Sequence, residues 1–221
     1  MNDSNSIAQR IATILEEIPL TVQLLAVSKG ASLEQIREAY EAGVRDFGES
    51  RIQATAEKQA ALADLPDIRW HLIGQLQSNK VRKAVEMFDV IHSVDSLKLY
   101  QQINRIAAEL AKTPQIYLQV KILPDPQKTG WEVASLWRDL PEINRCERLR
   151  ATGLTIIAPL GLDSQSLLKM FVTAADLQKD INKHNYQFIQ IKNLSMGMSQ
   201  DYQMAVQAGS TLIRVGSKIF I

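Results

Sequence analysis

Lys29 stands at the end of an apolar run, Val22-Gln23-Leu24-Leu25-Ala26-Val27-Ser28, directly before Gly30. A lysine closing an otherwise buried strand is costly to desolvate as a cation. Desolvation favours its free amine, which condenses with an aldehyde or ketone as an imine. A lysine that snorkels to solvent or pairs with a carboxylate is the plain alternative. Two segments far along the chain have the composition of an anion site. Leu194-Ser195-Met196-Gly197-Met198-Ser199 runs into a helix expected near Gln200, and small residues there leave backbone N–H groups open to an anion. Arg214-Val215-Gly216-Ser217-Lys218 offers a guanidinium, a glycine for close approach and a hydroxyl. A helix cap explains the first segment alone and an ion pair the second; their pairing favours a phosphate.

These residues need a frame that brings positions 29, 195 and 214 together. Segments rich in Val, Ile and Leu alternate with amphipathic stretches throughout, the pattern of a parallel sheet covered by helices. Strands are expected at Val22–Ser28, Val44–Gly48, Arg69–Gly74, Val90–Val94, Gln115–Lys121, Leu149–Ile157, Phe188–Ile191 and Thr211–Val215. Helices are expected at Ser4–Glu17, Ser32–Ala42, Arg51–Ala61, Ser78–Glu86, Ser96–Ala111, Glu132–Asp139, Ser164–Asn182 and Gln200–Gln207, with Ser32 and Asp95-Ser96 as N-caps. Eight strands with intervening helices describe a single α/β domain, a (β/α)8 TIM-type barrel with an extra N-terminal helix. The chain ends at Ile221, leaving no room for a full closing helix, so the N-terminal helix is expected to fill that gap. Barrel chemistry sits at the C-terminal strand ends, and phosphate commonly binds the loops after strands seven and eight. Strand eight neighbours strand one in a closed barrel, which sets Lys29 beside the phosphate loops. Pyridoxal phosphate, an aldehyde carrying a phosphate, fits both features.

The bulk properties narrow the alternatives. A chain of 221 residues, 46% hydrophobic and 22% charged, suits one globular core. A formal charge of +1 without a long basic run argues against nucleic acid as a partner. No apolar stretch approaches the length of a membrane helix, and Met1–Arg10 does not read as a secretory signal, so a cytoplasmic location is expected. The lone Cys146 is set aside, and no Cys, His and carboxylate cluster has metal-ligand spacing. His71, on the third strand, either faces the site or is a satisfied barrel histidine; His92 and His184 show no partner. Lys80 and Lys128 are expected to be solvated near the mouth.

Five strings carry a resemblance: Ala26-Val27-Ser28-Lys29, Asp46-Phe47-Gly48-Glu49, the run WHLIGQLQSNK from Trp70 to Lys80, Leu194 to Ser199 with Asp201, and Ile213 to Phe220. The chain resembles the YggS/PROSC family of pyridoxal phosphate homeostasis proteins. The resemblance implies a barrel like the N-terminal domain of alanine racemases, fold type III among pyridoxal phosphate proteins, with the cofactor held as an aldimine on Lys29. It further implies that Ser195, Gly216 and Ser217 hold the phosphate beside Met196 and Gly197, that Arg214 approaches the pyridine nitrogen, and that position 50 contacts the ring. Ser50 stands where the family usually has Asn, Lys121 also where Asn is usual, and Ile221 in place of a glycine; the last two are expected to lie away from Lys29 and the phosphate loops. The function implied is non-catalytic: a carrier or regulator steadying vitamin B6 and amino-acid pools. Its expected partners are pyridoxal phosphate and, as recipients, pyridoxal phosphate-dependent apo-enzymes or a regulatory protein, with no nucleic acid and no membrane, and its expected state is a monomer. Two other readings stand beside it: a racemase-like enzyme, which needs a second acid/base that alanine racemases take from a separate β-domain not expected in this sequence, and an aldolase forming a Schiff base with a sugar phosphate.

Overall fold

The structure is a computed structural model that describes residues 6–221. The first two residues of the helix expected from Ser4 lie outside the described residues. In chain order the elements are α1 (Ile7–Glu16), β1 (Gln23–Val27), α2 (Leu33–Glu41), β2 (Asp46–Glu49), α3 (Ile52–Ala61), β3 (Arg69–Leu72), a 3-10 turn (Ser78–Lys80), α4 (Val81–Met87), β4 (Val90–Val94), α5 (Leu97–Glu109) and β5 (Gln115–Lys121). They continue with β6 (Trp131–Glu132), α6 (Val133–Ile143), β7 (Arg150–Ile156), α7 (Ser164–Lys183), β8 (Ile189–Met198), α8 (Tyr202–Gln207), β9 (Leu212–Val215) and α9 (Ser217–Phe220). The pairs β1–β2, β2–β3, β3–β4, β4–β5, β5–β7, β7–β8, β8–β9 and β9–β1 are all parallel, so eight strands close a barrel. The two-residue β6 is an annex on β5.

Two layers of apolar packing hold the barrel. The larger lies between the strands and their covering helices; the smaller, Leu25, Val90, Tyr117 and Leu212 with Ile73 against them, is a separate group. Local sequence sets the boundaries where it is strong. Ser32 and Gln35 form a reciprocal capping box at α2, and Ser96 caps α5. Helix α6 runs beyond Asp139, the end expected before Pro141, because Leu136, Leu140 and Ile143 are all buried on one face, and that packing outweighs the amide proton proline lacks. Helix α1 buries Ile7, Ile11 and Ile14 and packs against α2 and the single turn of α9, as its expected gap-filling role requires. Arg10 Nη1 donates to the Ile219 carbonyl at 2.9 Å, tying the two ends of the described chain together.

Candidate functional site

Strand β1 is buried from Leu24 to Ala26, and Ser28 beyond it is fully buried, but Lys29 is exposed. The Ala31 N–H donates to the Ser28 carbonyl at 2.9 Å, closing a tight turn with Lys29 and Gly30 at its corner. The expectation of a lysine desolvated within a strand end is therefore corrected: the turn lifts the side chain out of the sheet. Lys29 instead lines a cavity of about 620 Å³ at the C-terminal mouth, together with Met198, Ser199, Arg214, Gly216 and Ser217. Its walls are more apolar than polar, with Ala158, Pro159, Leu160 and Leu162 contributed by the segment after β7.

Arg214, the third residue of β9, is 6% exposed. Its Nη1 donates to the Ser195 carbonyl at 2.7 Å and to Ser195 Oγ at 2.6 Å, while Nη2 donates to the Ile156 carbonyl at 2.8 Å. One side chain thus ties β7, β8 and β9 at the mouth. Burial pushes the guanidinium down to about 10, against the pull of the Asp201 carboxylate; at neutral pH it remains a cation. The Gly216 N–H donates to Ser199 Oγ at 3.4 Å. A Cβ on Gly216 would stand 3.0 Å from the Val27 carbonyl oxygen, so glycine lets the last turn approach β1 beside Lys29.

Of the residues expected at the site, Lys29, Arg214, Gly216 and Ser217 come together around the cavity. The others are placed differently. Leu194–Met198 is not a loop: β8 continues through it, with a register irregularity against β9 between Ser195 and Met198. Ser195 and Met196 are fully buried, the first as an acceptor for Arg214 and the second in the apolar core. Gly197 has φ +93, and a Cβ there would lie 2.7 Å from Ala205, so its role is to let α8 pack closely. Ser50 sits just past β2, half-buried and outside the cavity lining, with its backbone against Gly74. Ile221, expected to stand away, lines the cavity at 93% exposure. Neither Lys80 nor Lys128 is among the lining residues.

Ser199, the last residue of the segment expected to bind an anion, lines the mouth just beyond β8, and so do Gln200 and Asp201, which sequence reasoning did not assign to the site. The signal was burial continuing at Leu194 and Met196, which moves the strand end forward. Sequence reasoning also missed the segment after β7, although Pro159 and Gly161 mark a turn at a C-terminal strand end, where barrel sites are built.

A second polar group occupies the barrel between its strands. His71 Nε2 meets Asp46 Oδ1 at 2.8 Å, His71 Nδ1 meets His92 Nε2 at 2.9 Å, and Thr155 Oγ1 lies 3.4 Å from His92 Nδ1. Arg69 Nη1 pairs with the same Asp46 oxygen at 3.0 Å. Burial pushes both imidazoles below their ordinary range, His92 strongly. Burial also opposes ionisation of Asp46, but the His71 hydrogen bond and the Arg69 charge hold it below the usual carboxylate range. With both rings neutral, one consistent assignment has Thr155 donating to His92, His92 to His71 and His71 to Asp46. His71 is thus a satisfied barrel histidine and His92 has partners; neither lines the cavity.

Over residues 3–221 the sequence matches the family described as alanine racemase, N-terminal domain. A pyridoxal phosphate homeostasis protein from Synechocystis sp. is 46% identical over 207 residues, 94% of each chain. One from Vibrio alginolyticus is 38% identical, covering 98% of this chain and 97% of the relative. The structure of PipY from Synechococcus elongatus with pyridoxal phosphate bound superposes with a TM-score of 0.93 at 47% identity, covering 98% of this chain and 100% of that one. An alanine racemase from Clostridium difficile, 14% identical with a TM-score of 0.76 over 99% of this chain and 57% of that one, shares the fold.

Proposed function

Because the chain belongs to the family of pyridoxal phosphate homeostasis proteins, we propose that its mouth cavity binds pyridoxal 5'-phosphate and that the protein stores or delivers this cofactor without catalysing a reaction of its own. The observation that carries the reading is the convergence of Lys29, Arg214, Gly216 and Ser217 on one cavity. When bound, the cofactor supplies an aldehyde, a phosphate and an electron-delocalising ring. The donor set fits each part. Lys29 presents an amine from an exposed turn, Ser217 and Ser199 present hydroxyls, and Arg214 presents a fixed cation. Apolar residues of the segment after β7 cover one side of the cavity and exclude water there. Ser195 acts behind Arg214, fixing its guanidinium.

The same cavity supports a non-catalytic role. Racemisation needs a second acid/base opposite the lysine. Among the described residues lining the cavity, the ionisable side chains are those of Lys29, Asp201 and Arg214, and Asp201 Oδ1 already accepts the Met198 N–H at 2.6 Å. Arg214 keeps its proton at neutral pH and offers hydrogen bonds rather than a transferable proton. A cytoplasmic monomer that passes cofactor to apo-enzymes or a regulatory protein completes the reading. The test is the visible spectrum of the purified protein and of Lys29→Ala, with an assay for amino-acid racemisation. A yellow chromophore lost in the variant, without turnover, is expected. Turnover would make the protein an enzyme, and a colourless protein that refuses added pyridoxal phosphate would defeat the cofactor reading.

A further inference from the structure

The Ser28 carbonyl that closes the Lys29 turn accepts a second hydrogen bond, from Lys58 Nζ of α3 at 2.6 Å. The same ammonium contacts Glu49 Oε1 at 2.7 Å, and that oxygen also accepts from Ser28 Oγ at 2.7 Å. Glu49 ends β2, beside β1, where Val27 pairs with Gly48. Its side chain is 1% exposed and that of Lys58 14%, so a buried ion pair grips the carbonyl and the hydroxyl of the residue before Lys29.

Stability alone does not account for such a pair. Desolvating two charges offsets most of their attraction, and apolar replacements of similar volume are commonly as stable. An apolar pair would fill the space, but it would not fix the direction of the Ser28 carbonyl or hydroxyl. That direction matters because the turn sets the position and exit vector of the Lys29 Cα, while the four-carbon stem beyond it is free to rotate. We propose that Lys58 and Glu49 are positioning residues: by clamping Ser28 they hold the turn so that the Lys29 amine enters the cavity aimed at the aldehyde carbon. This deepens the cofactor reading and rests on it. In the step they would serve, the Lys29 amine lone pair would add to the aldehyde carbon, the nitrogen would give up two protons that leave with the carbonyl oxygen as water, and a carbon–nitrogen double bond would replace the carbon–oxygen one. Misplacement by about 1 Å is enough to slow a reaction on the order of 100-fold.

The experiment compares wild type, Lys29→Ala, Lys58→Arg and the double variant Lys58→Met/Glu49→Gln, which removes both charges and leaves none unpaired. The rate of chromophore formation after adding pyridoxal 5'-phosphate reports imine formation. Affinity for 4'-deoxypyridoxine 5'-phosphate, which has no aldehyde, reports the rest of the site, and a thermal melt reports folding. The double variant is expected to melt close to wild type, to bind the analogue within about twofold, and to form the imine at least about tenfold more slowly. Lys58→Arg, which keeps a cation donor, is expected to recover most of the rate. A folded double variant that reacts at the wild-type rate, or that loses analogue affinity in proportion to rate, overturns the proposal. If the double variant does not fold, Glu49→Gln alone is expected to react at least about threefold more slowly, and a wild-type rate there overturns it equally. A wild-type chromophore in Lys29→Ala would instead overturn the cofactor reading beneath it.

Discussion

The barrel holds two sets of polar side chains, and they are finished differently. Around His71 and His92 each polar group meets another protein group, so Asp46, both imidazoles and Thr155 form a chain satisfied from within. At the mouth, Arg214 is braced by protein carbonyls, whereas Lys29 projects from its turn into a wide cavity. Buried polar groups cost free energy unless paired, so the inner set contributes to a single well-defined barrel and the outer set is available to a ligand. Titratable residues inside a barrel are therefore not by themselves a site; what separates the two sets is who supplies their partners.

Substitutions in each region sharpen that contrast. The largest effect is expected for Lys29→Ala: complete loss of the chromophore on adding pyridoxal phosphate, with a chemical-denaturation stability within about 0.5 kcal/mol of wild type, because the residue is exposed. His92→Leu reverses the pattern, costing about 2–4 kcal/mol by leaving His71 and Thr155 short of a buried partner while the chromophore still forms. Gly153→Ala places a Cβ 2.7 Å from the Tyr117 ring, which packs on His92 at 4.3 Å between centroids; an overpacking cost of about 1–3 kcal/mol is expected in the same denaturation curves.

The smallest effect is a pH dependence. Both imidazoles titrate in the folded state below their ordinary value of 6.5, so the unfolded chain binds protons that the folded chain does not. Their contribution is present above the ordinary imidazole value and is lost as pH falls below it. Asp46, also depressed, adds a loss only at more acidic pH. Denaturation curves above and below the ordinary imidazole value should show the decline, and His92→Leu should flatten it.

Much of this arrangement was legible in the sequence, and the failures have physical causes. The eight barrel strands were visible because strands buried on both faces are dense in Val, Ile and Leu, as at Val90–Val94 and Gln115–Lys121. The end of β8 was not, because Ser195, Met196 and Gly197 have loop-like composition and only their burial against neighbouring elements keeps them in the strand. Lys29 was found for a reason that fails: it follows a buried strand, yet a turn sets it in the open. The partners of His92 were invisible because they come from other strands, and the Lys58–Glu49 pair because its meaning depends on Ser28, thirty positions from Lys58.

The most direct test of the central claim is borohydride reduction of the protein loaded with pyridoxal 5'-phosphate, followed by peptide mass mapping. The phosphopyridoxyl group is expected on the peptide carrying Lys29, in one equivalent. A label found on Lys80, Lys128 or another surface lysine, with Lys29 unmodified, would contradict it.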